Sequence, residues 1–329
     1  MKILLTGATG FLGFRTLEKL VEMDEVQSVI ATGRTIKDSH YVKHPKVTYQ
    51  LGELSDRNFV ESITQDIEYV IHAAALSSPW GTYDEFEKAN LLSQKNLIQA
   101  VQKNGVIKYV YVSTPSMYFD ATNRRDIREE DPLPHKFINA YSATKRMAEI
   151  ELMNSGIPYV ILRPRALTGR GDTVIMPRLI HAHKQGRLKI IGSGKNIVDL
   201  TSVSNAVDAI ILGLKAEGNA LNQTYNITNG EPVNLWEKIS YVLSLMNEQL
   251  PPKKIPYFLV LSIAQLMEWK SKITNMKEPV LTKYGVGVLA KSMTLDISKA
   301  RELLGYHPTV STDEAIREFI NWYTEYEKN

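Results

Sequence analysis

Tyr141-Ser142-Ala143-Thr144-Lys145 sets a phenol and an ammonium four residues apart. On a helix both groups lie on one face, one turn apart. An ammonium at that distance would lower the phenol pKa. The tyrosine could then exchange a proton with an alcohol or a ketone, while the lysine orients a cofactor ribose. The chain has 16 tyrosines, and Tyr141 alone has lysine at this spacing. Upstream, Val112-Ser113-Thr114-Pro115-Ser116-Met117-Tyr118 ends an apolar run in hydroxyls. One of them could bind the reacting oxygen. Taken singly, each is as readily a strand cap or a turn residue.

A second constellation lies at the start of the chain. Gly7, Gly10 and Gly13 are spaced G-x-x-G-x-x-G within Thr6-Gly7-Ala8-Thr9-Gly10-Phe11-Leu12-Gly13. A dinucleotide pyrophosphate needs backbone N–H groups at a helix N-terminus with no side chain in the way. This turn sits between a strand pattern and a helix pattern, the context that motif requires. An acid about 20 residues further on would bind the ribose hydroxyl of NAD. The chain has Thr32-Gly33-Arg34 there, with Lys37 nearby. An arginine at that place suits a 2′-phosphate, so NADP(H) is favoured, with NAD(H) the alternative.

Both constellations need elements to position them. Ile3–Leu5, Val26–Ala31, Lys46–Gln50, Tyr69–His72, Ile107–Ser113, Tyr159–Leu162 and Thr224–Ile227 read as strands. Phe11–Met23, Tyr83–Asn104, Ala140–Asn154 and Ser204–Lys215 read as helices. Strand–helix alternation predicts an α/β fold, a doubly wound parallel sheet of the Rossmann type. After Arg163 the pattern loosens into Gly-, Arg- and Pro-rich loops. The expectation is a dinucleotide-binding domain over 1–165, with returns to it near 198–228. A smaller, interleaved substrate lobe would occupy most of 166–329.

Composition narrows the chemistry. The chain has no cysteine, which excludes disulfides, thiolate catalysis and cysteine-bound zinc. A net charge of +3 in 329 residues does not argue for nucleic acid. The start, MKILLTG, is too short an apolar stretch for a signal peptide, and a cytoplasmic location is the default expectation. His181 and His183 are two apart, so on a helix they face different directions, and no metal site is expected. The run from Arg124 to Asp131 mixes charge signs and reads as a solvated loop. Ile255–Trp269 carries one charge, Glu268. It reads as a lobe-packing helix rather than a span; the alternatives are the flank of an apolar entrance or peripheral contact with a membrane.

Five segments together resemble the extended short-chain dehydrogenase/reductases, that is, the NAD-dependent epimerase/dehydratase superfamily: residues 6–13, His72-Ala73-Ala74-Ala75, the Ser113-Thr114 strand end, 141–145, and Leu162-Arg163-Pro164. The resemblance implies that Thr114, Tyr141 and Lys145 form the catalytic set. It places Ala73–Ala75 and Ser113 along the nicotinamide ribose, Pro164 beside the nicotinamide, and Glu53 and Leu54 against adenine. It implies a homodimer packed through Tyr83–Asn104 and the Tyr–Lys helix. Pro115-Ser116 stands where family dehydratases carry Asp-Glu, and Ala166 where sugar-nucleotide epimerases often carry Asn. Residues 72–81, 112–119, 162–172 and 299–308 are most similar to the branch of 3β-hydroxysteroid dehydrogenase-like proteins and 2-alkyl-3-oxoalkanoate reductases. That branch implies a secondary alcohol or ketone on an apolar substrate, with Ser77, Trp80, Ser116 and Arg165 as candidate contacts. Arg165 and Arg170 are equally readable as surface residues. The rival readings are a nucleotide-sugar epimerase with retained NAD, and a non-catalytic NADP(H)-binding protein.

Overall fold

A computed structural model describes residues 1–274 and 277–326. Short apolar runs that alternate with amphipathic helices must bury both faces of each strand, and a parallel sheet does this. Seven strands form it. Their order across the sheet is Gln223–Ile227, Tyr159–Pro164, Lys108–Val112, Tyr69–His72, Lys2–Thr6, Ser28–Thr32 and Val47–Tyr49. Every neighbouring pair is parallel. The order in which strands are added reverses between Lys2–Thr6 and Tyr69–His72, and ligands of such sheets bind in the crevice opened there. The first helix, Phe11–Glu22, buries Leu12, Leu17 and Leu20 on one side of the sheet. Val70, Tyr109, Tyr111 and Leu152 fill the other side.

Three elements differ from the pattern reading. The second strand begins at Ser28 rather than Val26, because the Val26 N–H turns back to the Met23 carbonyl at 3.2 Å. The helix read over Tyr83–Asn104 is interrupted. Tyr83–Phe86 is α-helical, Glu87–Leu92 forms a wide π turn, and Ser93–Asn104 resumes the α-helix. The mixed-sign run is not a solvated loop throughout. Arg124–Ile127 is a strand parallel to Met293–Leu295, within a small sheet completed by Ile197–Val198 and Val233–Asn234. Its partner is far away in sequence, so no local period announces it.

The later chain builds its own core from Leu188, Ile191, Trp236, Leu243, Val260 and Val286. Tyr257–Thr274 is a helix whose buried residues are Val260, Ala264, Glu268 and Ser271. Tyr257 and Leu261 pack on the same core, while Phe258, Leu259, Ile263, Leu266, Trp269 and Ile273 are exposed, so the lobe-packing expectation holds for only one side of it. Among the described residues, no helix is long and apolar enough to cross a membrane.

Candidate active site

The glycine-rich turn is shaped by contact. Gly7 has φ +72°, and a Cβ there would lie 2.7 Å from the Ala74 nitrogen. A Cβ on Gly13 would lie 2.0 Å from the Gly7 carbonyl oxygen. Both glycines are therefore obligatory for this geometry. Gly10 caps Phe11–Glu22 with no side-chain bond, leaving the first N–H groups free to face a phosphate. The turn thus fits a dinucleotide. Thr9 packs against Gly33, where a Cβ would meet its hydroxyl at 2.2 Å. Arg34 follows, exposed and without an ion pair to any described residue. Glu53 is exposed at the turn after Val47–Tyr49. Leu54 is buried, and its carbonyl accepts from the Asn96 amide at 3.0 Å.

Ala73 and Ala74 press against Gly7 from the neighbouring strand end. The Ala73 N–H donates to the Thr6 carbonyl at 3.2 Å, and the Ala74 N–H to the Thr6 hydroxyl at 3.3 Å. Ala75 is exposed beyond them. His72 is buried 2.6 Å from the Thr6 hydroxyl and stacks on Tyr111. Burial, then the charge of Lys145, holds its imidazole far below the ordinary pKa.

Tyr141 and Lys145 lie on the helix Ala140–Met153, which Asn139 caps through the Ser142 N–H at 2.9 Å. The hydroxyls of Ser77 and Thr114 lie beside the Tyr141 phenol, where they draw its pKa down against the rise from burial. Thr114 donates to Ser116 at 2.9 Å, and Ser142 donates to Ser116 at 3.1 Å. Three buried hydroxyls, Thr114, Ser116 and Ser142, are thus linked behind the phenol, with Ser77 on its exposed side. The Lys145 ammonium donates to the Val112 carbonyl at 2.7 Å and lies 4.1 Å from the Tyr111 ring centre. Spacing alone suggested that Lys145 lowers the phenol pKa. In the structure burial pushes Tyr141 up, and the two hydroxyls only partly offset it. Lys145 is itself drawn down to about 7 by burial, which weakens it as a cation.

Asn90, in the π turn, ties the parts together. Its amide accepts from the Leu76 N–H at 2.8 Å, and donates to the Leu76 carbonyl and the Thr144 hydroxyl at 3.3 Å each. The loop bearing Ser77 and the helix bearing Tyr141 are thereby fixed to each other. π turns recur at functional sites because they re-aim one side chain.

Behind Lys145 lies a buried ion network that the motif spacing does not single out. Glu149 follows Lys145 by four, so extending that spacing by one turn reaches it. Arg163 grips its carboxylate with Nε and Nη2 at 2.8 and 2.6 Å, and Arg146 adds a bond at 2.9 Å. Burial alone would raise the Glu149 carboxyl, but these guanidinium groups hold it below the usual value. Arg163 also donates to the Tyr118 hydroxyl.

On the open side, Arg165 follows Pro164 at the strand end and is buried, not a surface residue. Its guanidinium makes no hydrogen bond or ion pair within 4 Å with any described residue, and its Nε is fully enclosed. Burial lowers its pKa, opposed by Tyr284 and Asp199. Burial likewise pushes the Asp199 carboxyl up to about 6. Tyr284 comes from the later helix Lys283–Ala290 and feels both Arg165 and Tyr141. It packs edge-on against Phe119 at 5.7 Å. No local signal marked Tyr284, since the tertiary fold alone brings it here.

The remaining candidates are each engaged by another residue. Arg170 pairs with Glu18 and sits 5.2 Å from the Phe14 ring centre, so it is engaged structurally. Trp80 lies under the Lys272 ammonium, 5.9 Å away. The fold does bring His183 an acid, Glu248 at 3.5 Å, while His181 meets Gln185.

Residues 3–228 match the family model described as the NAD dependent epimerase/dehydratase family. The chain belongs to that family. It is an oxidoreductase of that family. It is similar to a 2-alkyl-3-oxoalkanoate reductase of Stenotrophomonas maltophilia, 33% identical across 96% of this chain and 98% of the relative. It is also similar to 3beta-hydroxysteroid-dehydrogenase/decarboxylase isoform 1 of Arabidopsis thaliana, 32% identical across 97% of this chain and 79% of that protein. Among solved structures, UDP-glucose 4-epimerase from Thermotoga maritima shares the fold. Its TM-score is 0.78 at 22% identity, over 99% of this chain and 100% of that one.

Proposed function

We propose that this enzyme interconverts a secondary alcohol and a ketone on an apolar substrate, using NADP(H). The observation that carries the reading is the Tyr141 phenol, beside Thr114 and one turn from Lys145, at the mouth of the crevice that begins at Gly7. A nicotinamide cofactor, when bound, supplies or accepts the hydride. Gly7, Gly10 and Gly13 would hold its pyrophosphate, Ala73 and Lys145 its ribose, and Arg34 a 2′-phosphate. Tyr141, kept protonated by burial, gives its proton to the carbonyl oxygen in reduction and takes one in oxidation. Thr114 would hold that oxygen, its hydroxyl oriented through Ser116 and Ser142, and the partly exposed phenol takes its next proton from solvent.

Arg165 narrows the substrate. A buried guanidinium without a bound partner favours an anionic or carbonyl oxygen near the reacting carbon. The two relatives are named for 3-oxoalkanoate and 3β-hydroxysteroid chemistry, which suits an oxygen on a greasy skeleton. Ser77 and Trp80 would border the substrate from the loop after Tyr69–His72.

The test is NADPH and NADH titration, followed by turnover on 3-oxo acids, steroid ketones and nucleotide sugars. NADPH-dependent reduction of an apolar ketone, with KM for 3-oxo acids raised in Arg165→Leu, is the expected result. Retained NAD with turnover of a nucleotide sugar would overturn it. We also propose a homodimer through the long helix and the Tyr–Lys helix. Tyr83, Leu92, Met147 and Ile150 are exposed there, and 83–104 and 140–153 each balance in charge. Sedimentation of Met147→Lys as a monomer would support it, and an unchanged dimer would refute it.

A further inference from the structure

The helix Tyr257–Thr274 buries the wrong residues for an ordinary amphipathic element. Its fully buried residues are an alanine, a glutamate, a serine and one valine, with Tyr257 and Leu261 packed part-buried against the same core. Outward face Phe258 at 76% exposure, Leu266 at 64%, Trp269 at 60%, Ile273 at 61%, Leu259 and Ile263. At about 100° per residue, these six share a stripe about 140° wide. A mainly apolar face of that kind, interrupted by Ser262, whose hydroxyl donates to the Phe258 carbonyl, and exposed to water, marks a binding surface.

Charge says what covers it. Residues 253–291 carry seven lysines against two glutamates, a net of +5, whereas the whole chain carries +3. Glu268 is turned inward, accepting from the Lys283 N–H at 2.7 Å, and Glu278 is paired with Arg178 at 3.0 Å. Lys270 and Lys272 are exposed, the first near one edge of the stripe between Leu259 and Ile263 in projection, the second just beyond the other edge. Two copies pressed together through this face would bring two such positive segments into contact. That contrasts with the charge-balanced helices around Met147. An aromatic-aliphatic face rimmed by lysines matches an anionic bilayer surface, where apolar side chains enter the acyl boundary and ammonium groups meet phosphates.

The surface also adjoins the site. Lys272 covers Trp80, on the same loop as Ser77, which touches Tyr141. The adjoining helix Lys283–Ala290 carries Tyr284. A greasy substrate could therefore pass between the bilayer and the crevice without crossing water.

We propose that Tyr257–Thr274 docks the enzyme on an anionic lipid surface. The test is co-sedimentation of the full chain with vesicles of phosphatidylcholine, with or without one-third phosphatidylglycerol, at low and high salt. The assay reads binding and needs no turnover, so it stands apart from the redox reading. The expected result is binding about tenfold stronger to the anionic vesicles, weakened by salt. Phe258→Glu/Leu266→Glu, both exposed, should lose that binding by about tenfold or more at unchanged melting temperature. Lys270→Glu/Lys272→Glu should lose the preference for phosphatidylglycerol. Wild-type protein left in the supernatant with both vesicles overturns the proposal. So does a fall in oligomeric state on Phe258→Glu/Leu266→Glu, which would assign the face to a second copy.

Discussion

Two helices border the crevice and solve opposite problems. Ala140–Met153 takes Lys145 and Glu149 into the core and leaves Met147 and Ile150 outside. Tyr257–Thr274 takes Glu268 and Ser271 inside and leaves Phe258, Leu266 and Trp269 outside. In the first helix Arg163 and Arg146 grip Glu149, while Lys145 gives one donor to the Val112 carbonyl and keeps donors to spare. In the second, Glu268 only pins the neighbouring helix through Lys283, whose side chain is half exposed. Inverted amphipathicity therefore has two meanings. Charges drawn inward with donors to spare point to chemistry, whereas apolar residues left outward point to an external partner.

The most sensitive probe of this contrast is Tyr141→Phe. Turnover should fall about 10²–10⁴-fold while NADPH affinity, read by fluorescence, is retained. Unchanged turnover would remove the phenol from the mechanism. Next is Glu149→Ala, which strands Arg163 in the core. Denaturant unfolding should show a loss of about 3–5 kcal/mol. A loss under about 1 kcal/mol would mean that the network is wetter than described.

Lys145 gives a pH signature. Its folded pKa is drawn down to about 7 from the ordinary 10.5. Between those values the unfolded chain binds more protons than the folded one, so stability rises with pH from about 7 upward. Thermal melts without cofactor should show wild type gaining on Lys145→Met across that window. A gap that stays flat with pH would mean that Lys145 keeps its proton.

Ala166 has φ +45°, a left-handed conformation that costs a β-carbon about 1 kcal/mol. Ala166→Gly should recover roughly that amount in denaturant melts. Smallest of all is Glu268→Gln, which should cost less than about 1 kcal/mol because Lys283 reaches solvent. A loss as large as that of Glu149→Ala would erase the difference between the two helices.

What was legible in the sequence follows the range of each constraint. Gly7, Gly13, Tyr141 and Lys145 obey rules of local spacing, and the strands Tyr69–His72 and Tyr159–Pro164 announce themselves as apolar runs. Arg165 was visible as a residue, but not its burial, which depends on Asp199 and Tyr284 arriving from far along the chain. The strand Arg124–Ile127 looked like a solvated loop, because its charged residues lie at a small sheet's edge. Tyr284 and the outward stripe of Tyr257–Thr274 are properties of packing, and no window of sequence contains them.

The wide turn at Glu87–Leu92 makes residue count itself a design variable. It takes up one residue more than an α-helical path, so everything after it is turned by about 100° relative to an uninterrupted helix. That offset lets Asn90 look toward Leu76 and Thr144 while Leu97 and Val101 still look toward the sheet. Deleting a single residue here would close the helix and force a choice between the clasp and the core. The segment should therefore accept changes of letter more readily than a change of length.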